Sequence, residues 1–200
     1  MAVVTNLLTD RRMTLQEFLS YEDGSDRRYE LVDGVLVEMD AESRVNTQIA
    51  ILLIEVFLKL VGSKQLGIKE KIQVGSDFAT ARDADLIIHS KESAAALQGR
   101  SEACLLWGEP NPLVVIEVVS PGTVSSENYQ RDYVQKPGEY ADRGIPEFWQ
   151  IDPSREWIKV GFLISGIYEF TTFHMMDRII SPTFPDLNLL AAQFLGTDDV

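Results

Sequence analysis

Leu113-Val114-Val115-Ile116-Glu117-Val118-Val119 is the most apolar run in the chain, and it follows Pro112. A valine-rich run of this kind reads as a central strand buried on both faces of a sheet. It carries one residue out of keeping. Packing has no need of a carboxylate at Glu117, and an unpaired buried charge costs several kcal/mol or more. Such a group is neutralised, paired or bound to a cation. From its apolar surroundings alone, a structural ion pair and a functional acid fit Glu117 about equally well.

The elements on either side fall into place around this strand. Downstream, the polar segment from about Ser126 to Asp142 reads as a helix stopped at Gly144, followed by the strand Glu147-Phe148-Trp149-Gln150-Ile151. Asp152-Pro153-Ser154 and Ser165-Gly166 turn the chain into two further strands, residues 157–164 and 167–173. Upstream, Ala84-Asp85-Leu86-Ile87-Ile88 is a short apolar strand, and Ile68, Ile72 and Val74 mark a half-exposed one. Val45, Ile49, Leu52, Leu53, Val56 and Leu60 recur at helical spacing between Ser43 and Gly62. Tyr29-Glu30-Leu31-Val32, Asp33-Gly34 and Val35-Leu36-Val37-Glu38-Met39 form a hairpin with a type I′ turn. Thr14 and Glu17 make a capping box for a short helix before it. The expected fold class is α/β: a central mixed β-sheet flanked by helices, with an antiparallel strand extension toward the C-terminus. One domain is expected over residues 14–195, after a lead-in of residues 1–13.

Two hundred residues bury enough surface to fold without disulfides. The single cysteine, Cys104, lies in an apolar run and is expected to be buried and inert. With no disulfide possible, a cytoplasmic location is expected. No stretch is long and apolar enough to span a membrane. The net charge of −13 disfavours strong non-specific attraction to nucleic acid. A small basic cleft on an acidic body is compatible with it.

Asp85 opens a second apolar strand, where its side chain can reach a neighbouring strand. Two carboxylates so placed repel unless a cation lies between them, and an oxygen-rich site with few protein ligands suits Mg²⁺. Taken alone, Asp85 reads better as the end of a turn. Glu30 alternates with Tyr29 and Leu31, and the sequence alone favours a solvent-facing position. Asp132, Lys136 and Tyr140 share one helical face at four-residue spacing. Lys136 there is either half of a surface ion pair with Asp132 or a donor to a reacting phosphate. His89 reads as a surface histidine at a strand end. His174 lacks partners at zinc-ligand spacing, and Ser120 lacks the setting of a hydrolase nucleophile.

Taken together, these stretches resemble the PD-(D/E)XK nuclease superfamily, and within it the Uma-two family of restriction-endonuclease-like proteins. The likeness runs from about Thr14 to Phe194. It is carried by Tyr29-Glu30-Leu31-Val32-Asp33-Gly34, Arg82-Asp83-Ala84-Asp85-Leu86-Ile87-Ile88, residues 113–121, Asp132 to Lys136, Tyr140-Ala141, and residues 144–152. The resemblance implies a restriction-endonuclease-like core. It makes Asp85 and Glu117 metal ligands, with the Val118 carbonyl as a third and Mg²⁺ or Mn²⁺ as the cofactor. It makes Lys136 the catalytic lysine, since Val119 occupies the usual position on the strand. Glu30 becomes an extra ligand or an orienting acid.

Three departures are visible. Ala84 stands where the family has proline, Asn46 where it often has histidine, and Pro137-Gly138 follows Lys136 directly. Proline disfavours helical geometry at the residue before it, so a kink at Lys136 or a fresh helix start at Pro137 is expected. The expected function is a Mg²⁺-dependent endodeoxyribonuclease acting on DNA. The alternative is a degenerate module that keeps the fold for binding or dimerisation. A homodimer through residues 157–173, where strand edges need covering, is expected.

Overall fold

The structure, a computed structural model, describes residues 12–195, so most of the expected lead-in lies outside the described residues. In chain order the elements are α1 (Leu15–Leu19), the hairpin β1 (Tyr29–Val32) and β2 (Val35–Glu38), α2 (Arg44–Val61), β3 (Leu66–Val74), β4 (Thr80–Ile88), α3 (Lys91–Leu97), β5 (Cys104–Leu105), β6 (Val114–Val118), α4 (Glu127–Gln130), α5 (Lys136–Arg143), β7 (Glu147–Asp152), β8 (Trp157–Ile164), β9 (Ile167–Phe173) and α6 (Ala192–Leu195). Among the described residues, no helix is long and apolar enough to cross a membrane.

Local chemistry accounts for most boundaries. Thr14 and Glu17 close the capping box on α1, and Ser43 caps α2 through the Asn46 amide. Asp33 and Gly34 take φ values of 47° and 80°, as a two-residue hairpin turn with matching twist requires. Gly144 ends α5 in the left-handed region. The apolar stripe of α2 is shifted slightly from its expected course: Ile49, Leu53 and Phe57 are fully buried, whereas Leu60 is exposed.

One mixed sheet of nine strands runs β2-β1-β4-β6-β7-β8-β9, with β3 pairing β4 and β5. Among the described residues only the pairs β6–β7 and β3–β5 are parallel. Strand β6 is central, flanked by β4 and β7 and wholly buried. On one face α2 packs against Leu86, Ile116 and Trp149; on the other α5 packs through Tyr140 against Ile87, Val115 and Phe148. The β8–β9 hairpin forms the expected antiparallel extension.

The pairing of β4 is what creates a site. Along one edge β3 follows it from Thr80 to Ile88. The other edge is shared: β1 meets it at Ala81, and β6 meets it from Leu86 to Ile88. Between these contacts the sheet splits, opposite residues 82–85. Regular geometry fails here too. Ala84 and Ile87 join the same apolar cluster although three residues apart, which strict alternation forbids. Lys69 of β3, facing this stretch, has a φ of 55°.

The segment before α5 resolves the problem posed by Pro137. Residues Arg131–Gln135 form a single π-turn, in which the Lys136 amide donates to the Arg131 carbonyl, five residues back. Lys136 itself stays helical, at φ −55° and ψ −44°. The Asp132 carbonyl then has no helical donor, because Pro137 lacks an N–H. Gln150 from β7 supplies one, its Nε2 donating at 2.6 Å. Of the two expected outcomes the helix start is the nearer: α5 begins at Lys136 with Pro137 in its first turn, and Lys136 keeps helical dihedrals.

Candidate active site

Glu117 stands near the end of the central strand, 4% exposed. The alternation of β6 turns it toward the α5 side. There Lys136 Nζ donates to its Oε2 at 2.8 Å, and Tyr140 Oη donates to its Oε1 at 2.8 Å. Lys136 Nζ also lies 3.1 Å from Glu30 Oε1. Glu30 in turn accepts from Arg82 Nη1 at 2.9 Å and from the Asp83 backbone amide at 3.2 Å. That last bond satisfies a β4 amide exposed where β1 and β6 part. Arg82 is gripped from its far side by Glu139, through Nε and Nη2 at 2.6 Å each, and by Gln135 at 3.1 Å.

Asp85 lies on the same split. Its Oδ2 accepts the Val118 amide at 2.6 Å, and Lys69 Nζ donates to its Oδ1. Lys69 also reaches Glu42, at 2.8 Å. The Val118 carbonyl receives Asn46 Nδ2 at 3.5 Å, so Asn46 keeps a polar contact to this site from α2.

The charges follow from burial and pairing. Burial pushes the Glu117 carboxyl up to about 8, against the pull of Lys136 and with a further push from Asp85. Burial alone would also raise Glu30, but the Lys136 and Arg82 cations hold it at about 2. Burial works against the Lys136 ammonium, yet Glu117 and Glu30 outweigh it and hold the group well above the ordinary lysine value. Lys136 is therefore a permanent cation and a hydrogen-bond donor, never a base.

Several readings from sequence change here. Glu30 does not face solvent; it is fully buried in the ion network. Lys136 forms no surface pair with Asp132, which is held by Arg131 at 2.7 Å. Asp85 sits within a strand and ends no turn. His89 is 2% exposed, between Ser93 Oγ at 3.0 Å and Glu70 Oε2 at 2.8 Å. That trio has the order of a hydrolase triad, but Ser93 is completely buried in the first turn of α3, its amide donating to the N-cap hydroxyl of Ser90, which leaves no path to a substrate. Cys104 is buried and free, its thiol pushed up to about 11 by burial.

Arg82, Asp83 and Lys69 were not singled out by the sequence reading. Charges at positions 82, 83 and 85 of one strand were the available signal, since no outward face can hold all three. The structure gives Asp83 a buried Oδ1 without a hydrogen-bond partner, and burial pushes its carboxyl up to about 6.

Asp85, Glu117 and the Val118 carbonyl offer only hard oxygen donors, as Mg²⁺ and Mn²⁺ prefer. Each of the four carboxylate oxygens carries one hydrogen bond from the groups named above. A carboxylate has about four acceptor positions, so both acids keep lone pairs for a cation. The donor set therefore fits a divalent ion. Among the described residues no cluster of three or more His, Cys, Asp or Glu side chains has metal-holding geometry. Such an ion would keep several waters.

A family model described as "Uma2: Putative restriction endonuclease" matches residues 15–193. The fold is similar to the crystal structure of "a putative nuclease belonging to DUF820 from Anabaena variabilis ATCC 29413", with a TM-score of 0.68 over 92% of this chain and 98% of that one. The two sequences are 16% identical, so this likeness speaks for the fold. No curated protein matches the chain.

Proposed function

The chain belongs to the Uma2 family of restriction-endonuclease-like proteins, and from this premise we propose that it is a metal-dependent nuclease hydrolysing phosphodiester bonds in DNA. The observation that carries the reading is Glu117: an acid in the central strand, buried, bonded to a permanent Lys136 cation and within electrostatic reach of Asp85.

Asp85, Glu117 and the Val118 carbonyl would hold Mg²⁺ or Mn²⁺. Such an ion lowers the pKa of a bound water and neutralises charge on a scissile phosphate. Lys136 donates to the attacking water or to a phosphate oxygen, stabilising the charge that builds there. Tyr140 and Glu30 fix the positions of Glu117 and Lys136, so neither must reorganise during the reaction. The direct test is cleavage of plasmid and single-stranded DNA in Mg²⁺ or Mn²⁺, beside Glu117→Ala. Turnover by the parent only is expected, and equal cleavage by both would remove the assignment.

Metal binding has a readout of its own. A ligand at a hundred times its dissociation constant stabilises the folded state by about 2.7 kcal/mol. At roughly 2–4 °C per kcal/mol for a chain of this size, the melting temperature should rise by about 5–10 °C. Asp85→Ala with Glu117→Ala should abolish the rise. A metal-induced rise with no cleavage of any DNA would favour the degenerate binding module instead.

We also propose a homodimer through the outer hairpin. Within the described residues β9 pairs only with β8, leaving its other edge open. Phe162, Ile164, Ile167 and Phe170 are each 36–66% exposed on these two strands. An open apolar edge of this kind is normally covered. Light scattering should report twice the chain mass at micromolar concentration, and Ile167→Lys should return a monomer. A monomeric parent would refute the interface.

A further inference from the structure

An open cleft of about 220 Å³ adjoins the site, on the side where α1 and the start of β1 approach β3. Lys69 belongs to both places, because it lines the cleft and binds Asp85. Three aromatic rings line the cleft: Phe18, Tyr21 and Tyr29. The two tyrosines meet edge to face, with centroids 5.7 Å apart, so their mutual orientation is fixed.

Its charge is close to balanced. Arg27, Arg28, Lys69 and Lys71 stand against Glu22, Asp83 and Glu102, four cations to three acids. Most of these cations are committed elsewhere: Arg27 to Glu38, Arg28 to Glu42, and Lys69 to Glu42 and Asp85. Lys71 has no carboxylate partner within ion-pair distance among the described residues, and lies over the Phe18 ring at 5.8 Å. A surplus of one cation suits a single phosphodiester and is poorly matched to a polyphosphate. Asp83 also lines the cleft, opposite Lys71 in the β3–β4 register, with its Oδ2 3.6 Å from Arg28 Nη1.

An aromatic wall and one uncommitted cation match the base and the phosphate of a nucleotide. We propose that this cleft binds one unpaired nucleoside monophosphate unit, with its base against Tyr21 and its phosphate at Lys71. The placement beside Asp85 makes that unit a neighbour of the scissile phosphate, so this step rests on the nuclease reading. It deepens that reading by requiring unpaired DNA next to the cut. It also answers the net charge of −13, because one uncommitted cation and stacking supply the grip that the whole surface does not.

Binding is measured by calorimetry without metal, so that nothing is cut, with deoxynucleoside 5′-monophosphates, deoxynucleosides, inorganic phosphate and a 5′-phosphorylated trinucleotide as probes. Tyr21→Ala should weaken monophosphate binding about fivefold or more, the low end of base stacking on an aromatic ring. Lys71→Ala should weaken it similarly, yet leave deoxynucleoside binding unchanged, since that probe lacks the phosphate. A trinucleotide that binds more tightly than a monophosphate identifies the strand as the natural source; equal binding identifies the free nucleotide. No binding of any nucleotide probe by the parent, or equal binding by both variants, overturns the proposal. The two readings fail separately. Nucleotide binding without cleavage defeats the nuclease and leaves the cleft. Cleavage of single strands with a KM unmoved by Tyr21→Ala and Lys71→Ala defeats the cleft and leaves the nuclease.

Discussion

Lys136→Met is expected to lower DNA cleavage by about 10²- to 10³-fold, the usual loss when one preorganised charge-stabilising donor is removed, while divalent-metal affinity stays within a few-fold. The separation follows from where the lysine stands. It bonds Glu117 at 2.8 Å and Glu30 at 3.1 Å, but is not itself an oxygen donor to a cation. Methionine keeps most of the unbranched chain and removes the ammonium with its donors. Loss of fold is not the expected cause, because the partners left behind have ways to adapt. Glu117 keeps the Tyr140 hydroxyl, and Glu30 keeps Arg82. Lys136→Arg should not restore the rate, since a planar fork does not reproduce a point donor in a fully enclosed position. Measured kcat for a methionine variant within threefold of the parent, with circular dichroism unchanged, would show that the lysine is structural.

Glu30→Leu is expected to have the largest effect on stability, about 3–5 kcal/mol, the range for removing one partner from a buried ion network. The asymmetry with Lys136 is chemical. Leucine at position 30 removes one of two carboxylate partners from each cation: Arg82 keeps Glu139 and Lys136 keeps Glu117, but Arg82, 1% exposed, cannot neutralise itself by giving up a proton. The Asp83 amide also loses its acceptor. At roughly 2–4 °C per kcal/mol, the melting temperature should fall by about 6–20 °C. Acidity provides a second check through Glu30→Gln. The Glu30 carboxyl is lowered from its ordinary 4.5 to about 2 in the folded state. A group depressed on folding contributes stability that is complete above the unfolded value and is lost as pH falls through the folded one. The stability gap between parent and Glu30→Gln should therefore be widest above pH 4.5 and close as pH falls toward 2. Urea denaturation at pH 7, 4 and 3 measures it, and a gap independent of pH would contradict the ionised, paired state of Glu30.

Much of the architecture was legible before any coordinates. Local signals acted over a few residues: the Thr14 capping box, the Asp33-Gly34 turn, the Ser43-to-Gly62 helix and the apolar run at residues 113–119 all formed where expected. The misreadings share one cause. Glu30 and His89 are polar residues on short segments, and a sequence places such residues at the surface by default. Both are buried because charged partners lie far along the chain: Arg82 is 52 positions from Glu30, and Glu70 is 19 from His89. The strand Thr80–Ile88 was read as shorter than it is, because Arg82, Asp83 and Asp85 hid a wholly buried strand behind an apparently polar one.

The sequence by itself determined the order of the main strands and the long helices, the central strand and the presence of an acid there that packing does not explain, since periodicity and turn chemistry are local properties. Only the tertiary structure decided which acids and bases meet. That depends on the sheet parting between β1 and β6 opposite residues 82–85, and on one π-turn carrying the helix through Pro137 so that Lys136 faces Glu117. Buried charges select their partners by distance in space, because the cost of leaving water is offset only by groups that are folded against them.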